Sequence, residues 1–161
     1  NEFGDIKKKY KVQIQSGNLF EELMKKYNVN FQTLMLDNDF IKKSKMYFDT
    51  NLTFSPDYNL VMQIALNNNV SSVDRYLAKY RVHSNSMSHN NMQDKYNDYA
   101  YTLEILKDKG AGLKFPSFNY YATSRLYRMK YKDNVNSHNY FFAFLYLIKY
   151  FIHVVKNSFT R

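Results

Sequence analysis

The sequence contains no cysteine and no tryptophan, and its 161 residues include only four glycines and two prolines. The absence of cysteine excludes disulfide bonds, thiolate metal sites and a cysteine nucleophile, and it favours a reducing compartment, which we expect to be the cytoplasm. There is no starting methionine and no signal-peptide pattern. The polar opening NEFGDIKKKYK is typical of the interior of a protein, so we expect a fragment.

The chain is instead rich in tyrosine, phenylalanine and basic residues, with a net charge of +9. The charge is uneven. Residues 101–161 contain ten Lys and Arg residues and only three Asp and Glu residues, which gives this part of the chain a net charge of +7. A basic C-terminal third indicates an anionic partner such as a nucleic acid, phospholipid head groups or a diphosphate.

Hydrophobic periodicity predicts an α/β N-terminal part followed by a mainly helical tail. The predicted strands are YKVQIQ (10–15), VNFQTLML (29–36) and VDRYLAKYRVH (73–83). The predicted helices are those within residues 18–27, 37–45, 56–67, 94–109, 120–132 and 138–155. Residues 84–93 are polar and predict a loop between the two parts.

Ser55, Pro56 and Asp57 form a strong helix-start pattern. Serine can accept hydrogen bonds from the free backbone N–H groups, proline suits the first helical position, and aspartate interacts favourably with the helix dipole. The same position would also suit a general base, because helix-end amides keep a carboxylate ionised. The residues themselves leave both interpretations open.

Two further motifs are chemically suggestive. YRVH combines Arg81 with His83, and a guanidinium group matches phosphate oxygens with two parallel hydrogen bonds, although a single histidine is more often structural. LDND (36–39) has the Asp-x-Asp pattern of a divalent-metal site. The FIKKSK that follows favours a helix cap instead, and we predict the cap.

The final apolar helix has two interpretations. Lys149 and His153 interrupt its apolar run, which falls short of the roughly 20 residues that a membrane span needs. An aromatic helix flanked by cations can lie in the head-group region of a membrane, so residues 120–161 are a candidate peripheral membrane contact. The alternative is a docking helix that covers the core.

Taken in order, the segments from Ser16 to Ser88 resemble the acceptor-side, C-terminal half of bacterial family-two glycosyltransferases of the GT-A type. The matching features are a Gly-led helix (SGNLFEELMKKY), an acceptor-side strand, YFDTNL, the helix start SPDYNL and the strand end YRVH. The resemblance implies a partial GT-A, Rossmann-like sheet-and-helix unit over residues 1–88 and a helical extension over 89–161.

The resemblance also implies roles for individual residues. Asp57 corresponds to the catalytic base, with Tyr58 and Leu60 as its packing neighbours and Tyr58 also expected to bind substrate, while Gln32 and Thr33 correspond to acceptor-side contacts. At the end of the third predicted strand, Arg81 and His83 would face the diphosphate of the sugar donor. His83 would also contact the metal. Most of the ligands of the divalent metal, Mg or Mn, would belong to an N-terminal half that this sequence does not include.

The sequence therefore predicts an inverting glycosyltransferase that moves a sugar from a nucleotide-sugar donor to a saccharide or lipid-linked acceptor in the assembly of surface polysaccharide or glycolipid. This part alone is expected to be inactive, and the enzyme is expected in the cytoplasm or on the inner face of the cytoplasmic membrane. Two rival hypotheses are a single-stranded nucleic-acid-binding domain, suggested by aromatic residues interleaved with cations, and a non-catalytic helical interaction module. Helical spacing of the aromatic residues argues against nucleic acid as a partner.

Overall fold

A computed structural model describes residues 16–79 and 92–158 of the chain. These residues form seven α-helices and one short 3₁₀ helix, Phe31–Thr33. The α-helices are α1 (Phe20–Lys25), α2 (Asn38–Ser44), α3 (Pro56–Asn67), α4 (Met92–Asp108), α5 (Ala111–Lys114), α6 (Phe118–Asn136) and α7 (Tyr140–Ser158). The chain divides into two compact units, residues 1–51 with 56–90 and residues 52–55 with 91–161. The predicted boundary at residues 88/89 lies outside the described residues.

The core of the first unit is formed where α1 packs against α3. Helix α1 lies within the predicted helix of residues 18–27 and buries Phe20, Leu23 and Met24. The Asn18 side chain accepts a hydrogen bond from the Phe20 backbone N–H at 3.3 Å, while the residue at the N-cap position of α1 is Leu19. The predicted helix Pro56–Asn67 is also confirmed, with buried side chains along most of its length.

The LDND motif forms the start of α2. The Asp37 side chain accepts a hydrogen bond from the Phe40 backbone N–H at 2.8 Å, and Asp39 lies in the first turn, where its charge interacts favourably with the helix dipole. The helix ends at Lys45, which adopts a left-handed conformation with φ 54°. The predicted helix cap is therefore confirmed.

The prediction of a GT-A, Rossmann-like sheet is wrong, because the described residues contain helices and no β-strand. The predicted strand 29–36 is replaced by the 3₁₀ helix, because the Asn30 side chain accepts the Gln32 N–H and Thr33 donates its hydroxyl to the Asn30 carbonyl. Such local bonds compete with a strand ladder. The one β-type pairing in these residues is a single antiparallel bridge between Gly17 and Val70.

The other two predicted strands, 10–15 and 73–83, lie wholly or partly outside the described residues. Residues 71–79 carry no strand, and Val73, Tyr76 and Leu77 are more than half exposed. A strand needs a partner to satisfy its backbone groups, and no neighbouring strand is present in the part of the chain described here. The predicted strand 10–15 and the end of the third, 80–83, lie outside the described residues.

The second unit is helical, as the sequence predicts for the tail. Helix α4 ends just before Gly110, whose φ of 81° places it in the left-handed region where glycine is favoured. After the single turn of α5, helices α6 and α7 form an antiparallel hairpin. A three-residue turn joins them, in which His138 has a φ of 58° and the Asn139 N–H donates to the Asn134 carbonyl at 2.8 Å.

Among the described helices, none combines the length and the apolar character required to cross a membrane.

Candidate functional site

Asp57 lies in the first turn of α3, directly after Pro56. Proline at the first helical position has its φ preset and loses no hydrogen bond, since that N–H has no partner within the helix. The next side chain is therefore held at the positive end of the helix dipole. The Asp57 side chain is half-buried, so its carboxylate is near the core and still reachable from solvent.

Tyr27 is the residue that contacts this carboxylate. Its hydroxyl donates a hydrogen bond to Asp57 Oδ2 at 3.3 Å, across 30 positions of sequence. Its ring also packs edge to face against Tyr58, with ring centroids 4.9 Å apart. Within the described residues Tyr27 is the one side chain that donates a hydrogen bond to the Asp57 carboxylate. The carboxylate is thus not occupied in capping its own helix backbone.

Tyr58 supports the site from inside the core. Its side chain is only 3 % exposed, and its hydroxyl donates to the sulfur of Met24 at 3.7 Å. A side chain this buried contacts protein and not a dissolved substrate. Its observed contacts are those of a residue that fixes the position of Tyr27 and the start of α3.

Gln32 and Thr33, the expected acceptor contacts, lie on the 3₁₀ helix. Gln32 is exposed and Thr33 is half-buried. Among the described residues, no hydrogen bond joins either side chain to Asp57. Both residues bond locally to Asn30 through backbone N–H or hydroxyl groups, so their side chains are not held in a fixed acceptor site by the contacts seen here.

The donor-side residues Arg81 and His83 lie outside the described residues. In the part of the chain that the structure covers, no group of three or more His, Cys, Asp or Glu side chains is arranged to hold a metal ion. The resemblance places most ligands of the expected divalent metal outside this sequence. The prediction that His83 contacts it stays a prediction.

Sequence reasoning missed a buried carboxylate in the second unit. Asp98 of α4 is 6 % exposed and accepts the backbone N–H groups of Phe54 and Ser55 through Oδ2, at 2.7 and 2.9 Å. The Ser55 hydroxyl is 3.4 Å from the same oxygen. A signal was present, because Asp98 lies four residues before the buried Thr102 on the apolar face of its helix.

Comparison of the chain with protein-family models, with curated proteins and with solved structures finds no match.

Proposed function

We propose that this chain is the acceptor-side part of a sugar-transferring enzyme, with Asp57 as the general base. The observation that carries the proposal is the environment of that carboxylate. It lies in the first turn of a helix, is half-buried, and accepts a hydrogen bond from the Tyr27 hydroxyl at 3.3 Å. The helix start SPDYNL after YFDTNL, which resembles the acceptor-side half of family-two glycosyltransferases, supports the same role, although the strand expected before these motifs is a 3₁₀ helix.

The reaction requires mainly that the carboxylate of the general base lie within hydrogen-bond distance of the acceptor hydroxyl. An acceptor hydroxyl attacks the anomeric carbon of the donor sugar while the bond from that carbon to the diphosphate breaks, and the leaving oxygen takes the electron pair. Asp57 accepts the proton of the attacking hydroxyl as the new bond forms. Attack from the side opposite the diphosphate inverts the anomeric configuration.

Tyr27 supports this role by limiting the freedom of the carboxylate. A hydrogen bond to one oxygen leaves the other carboxylate oxygen able to accept a proton, and a fixed side chain needs less reordering when substrate arrives. On the donor side, the proposal assigns Arg81 and His83 to the leaving diphosphate, where the guanidinium charge of Arg81 would stabilise the diphosphate and His83 would contact the metal.

The structural alternative is that Asp57 only helps to start its helix. Helix α2 provides an internal comparison, because it also carries an aspartate, Asp39, in its first turn. Asp39 is exposed and belongs to the LDND cap, whereas Asp57 is half-buried and bonded to a tyrosine from another helix. A helix start does not need that tertiary contact, which favours the catalytic role.

The test is the pair of variants Asp57→Asn and Asp39→Asn in the longer polypeptide that also contains a donor-binding half. Both changes remove one negative charge from the first turn of a helix and should cost similar stability, about 0.3–1 kcal/mol. We expect Asp57→Asn to reduce sugar transfer by about 10²–10⁴-fold, because proton transfer is lost, and Asp39→Asn to leave it unchanged. Release of nucleoside diphosphate from a pool of nucleotide sugars measures the rate.

Equal transfer rates for Asp57→Asn and the wild type would contradict the proposal. That result would favour the rival hypothesis, a helical interaction module without catalysis.

A further inference from the structure

Helix α7 presents an apolar face that the described residues leave uncovered. Its members follow helical spacing and are between 36 % and 68 % exposed. They are Phe141, Phe144, Leu145, Ile148, Ile152 and Val155. If each presents on the order of 100 Å², the face is at least as large as the largest apolar patch of a typical monomer, about 300–600 Å². We refer to these six side chains as the outer face of α7.

The opposite side of α7 is held by α6, so the outer face cannot turn inward without breaking the hairpin. Ala143 is buried at 2 % exposure, which permits close approach of the helices. His153 Nε2 lies 3.1 Å from the Tyr120 carbonyl oxygen, and the rings of these two residues stack with centroids 5.4 Å apart. The outer face is therefore a fixed feature of this unit.

Charge distinguishes the candidate occupants of this face. Helix α7 contains no Asp or Glu, and its two lysines, Lys149 and Lys156, are exposed. Each lysine follows a member of the outer face by one residue, Ile148 or Val155, which places it about 100° around the helix at the edge of that face. Long lysine side chains can extend from such an edge to anionic groups while their stems cover apolar surface.

We propose that the outer face of α7 docks onto an anionic phospholipid bilayer, with the helix lying in the plane of the head groups. An apolar face with lysines along one edge, on a helix that is not long and apolar enough to cross a membrane, has the character of an interfacial helix. A second copy of α7 would offer these lysines no acidic partner, since the helix contains no Asp or Glu. Anionic lipid would neutralise the same charges.

The inference does not depend on the proposed function, since it rests on α7 and not on Asp57. The experiment is co-sedimentation of the full chain with phosphatidylcholine vesicles, with and without phosphatidylglycerol at about one lipid in three. We expect binding to the anionic vesicles that weakens as salt is raised, and weak binding to the neutral vesicles.

The first pair of variants tests the apolar contact. Phe144→Glu with Ile152→Glu alters two exposed positions of the outer face. Met35→Glu with Leu113→Glu alters two positions elsewhere that are 92 % and 94 % exposed and changes the net charge by the same amount. We expect the first double variant to lose at least tenfold in vesicle binding for each residue changed, and the second to lose far less.

The second pair tests the lysines. Lys149→Gln with Lys156→Gln should weaken binding to anionic vesicles by about fivefold per lysine. Lys107→Gln with Lys109→Gln, which removes two exposed lysines at the end of α4, should have a smaller effect. A circular dichroism spectrum confirms that each variant remains helical.

Three results would overturn the proposal. One is the absence of wild-type binding to anionic vesicles at low salt. Another is equal loss of binding in the two double glutamate variants, which would show an effect of net charge and not of the outer face. The third is a wild-type dimer in sedimentation analysis that Phe144→Glu with Ile152→Glu converts to a monomer without any change in vesicle binding, which would make a second copy the occupant.

Discussion

At the scale of single residues, two carboxylates of this protein have different surroundings and different expected roles. Asp98 is buried, and its Oδ2 accepts hydrogen bonds from two backbone N–H groups and lies 3.4 Å from the Ser55 hydroxyl. Asp57 is half-buried and accepts one hydrogen bond, from the hydroxyl group of Tyr27. The first arrangement is typical of a structural residue, and the second leaves a carboxylate with acceptor capacity to spare.

Asp98→Ala should destabilise the protein by about 3 kcal/mol, because two partly buried N–H groups of Phe54 and Ser55 would lose a charged acceptor. Urea denaturation followed by circular dichroism measures the change. Asp108→Ala is the matched control, since Asp108 is exposed at the negative end of the dipole of the same helix and its removal should be neutral or slightly stabilising. Similar midpoints for Asp98→Ala and the wild type would contradict the structural role of Asp98.

At the scale of helices, several cations of the basic second unit lie over aromatic rings. The guanidinium group of Arg125 on α6 lies 4.6 Å from the ring centroid of Tyr99 on α4. Lys130 Nζ lies 4.0 Å from the ring centroid of Tyr96 and 3.1 Å from Gln93 Oε1. These contacts join α4 to α6, so part of the basic charge stabilises the packing of helices instead of facing solvent.

Tyr96 also links α4 to the pH dependence of stability. Burial raises its pKa above the usual value of 10.0, and the nearby Tyr146 raises it further. The folded state thus holds the phenol proton more tightly than the unfolded state does. The corresponding stability is fully present below pH 10 and is lost as the pH rises through the folded-state pKa.

We expect the free energy of unfolding to fall above about pH 10, and Tyr96→Phe to make that fall shallower. Thermal melting between about pH 9 and pH 11.5 measures it. Tyr47→Phe, at a 62 % exposed position, should leave the slope unchanged. If Tyr96→Phe and Tyr47→Phe follow the wild-type pH profile equally, Tyr96 makes no special contribution.

At the scale of the whole molecule, a net charge of +9 invites non-specific attraction to any polyanion. Specific binding to single-stranded nucleic acid would need aromatic rings that are free to stack on bases. Several aromatic side chains instead contact each other within the protein, among them Tyr27 with Tyr58 and Tyr120 with His153. Two exposed aromatic residues of α7, Phe141 and Phe144, lie on the outer face that the proposed interfacial helix requires.

We therefore predict that a labelled single-stranded oligonucleotide binds only at low salt. Binding should fall steeply between about 50 and 200 mM salt, as counterion release requires when few contacts other than phosphate contacts are made. A fluorescence-anisotropy titration at both salt concentrations tests this. Tight binding that persists at the higher concentration would favour the nucleic-acid hypothesis over sugar transfer.

The sequence predicts much of the helical structure because the signals for helices are local. Asp37 caps α2, Pro56 begins α3 and Gly110 follows the end of α4, and each acts through atoms within a few residues of itself. Strands were predicted wrongly for the described residues because a strand depends on a partner elsewhere in the chain. Residues 29–36 have the composition of a buried strand, but the local bonds to Asn30 decide their structure.

The sequence by itself determined the starts of α2 and α3, the basic C-terminal third and the place of Asp57 in the first turn of α3, since all three follow from neighbouring residues. The tertiary structure alone decided that Tyr27 contacts this carboxylate, that Asp98 is buried against the chain before α3, and that α7 leaves an apolar face uncovered. The physical reason is distance along the chain. The partners are 30 and 44 positions apart, and no local pattern encodes which distant surfaces will meet.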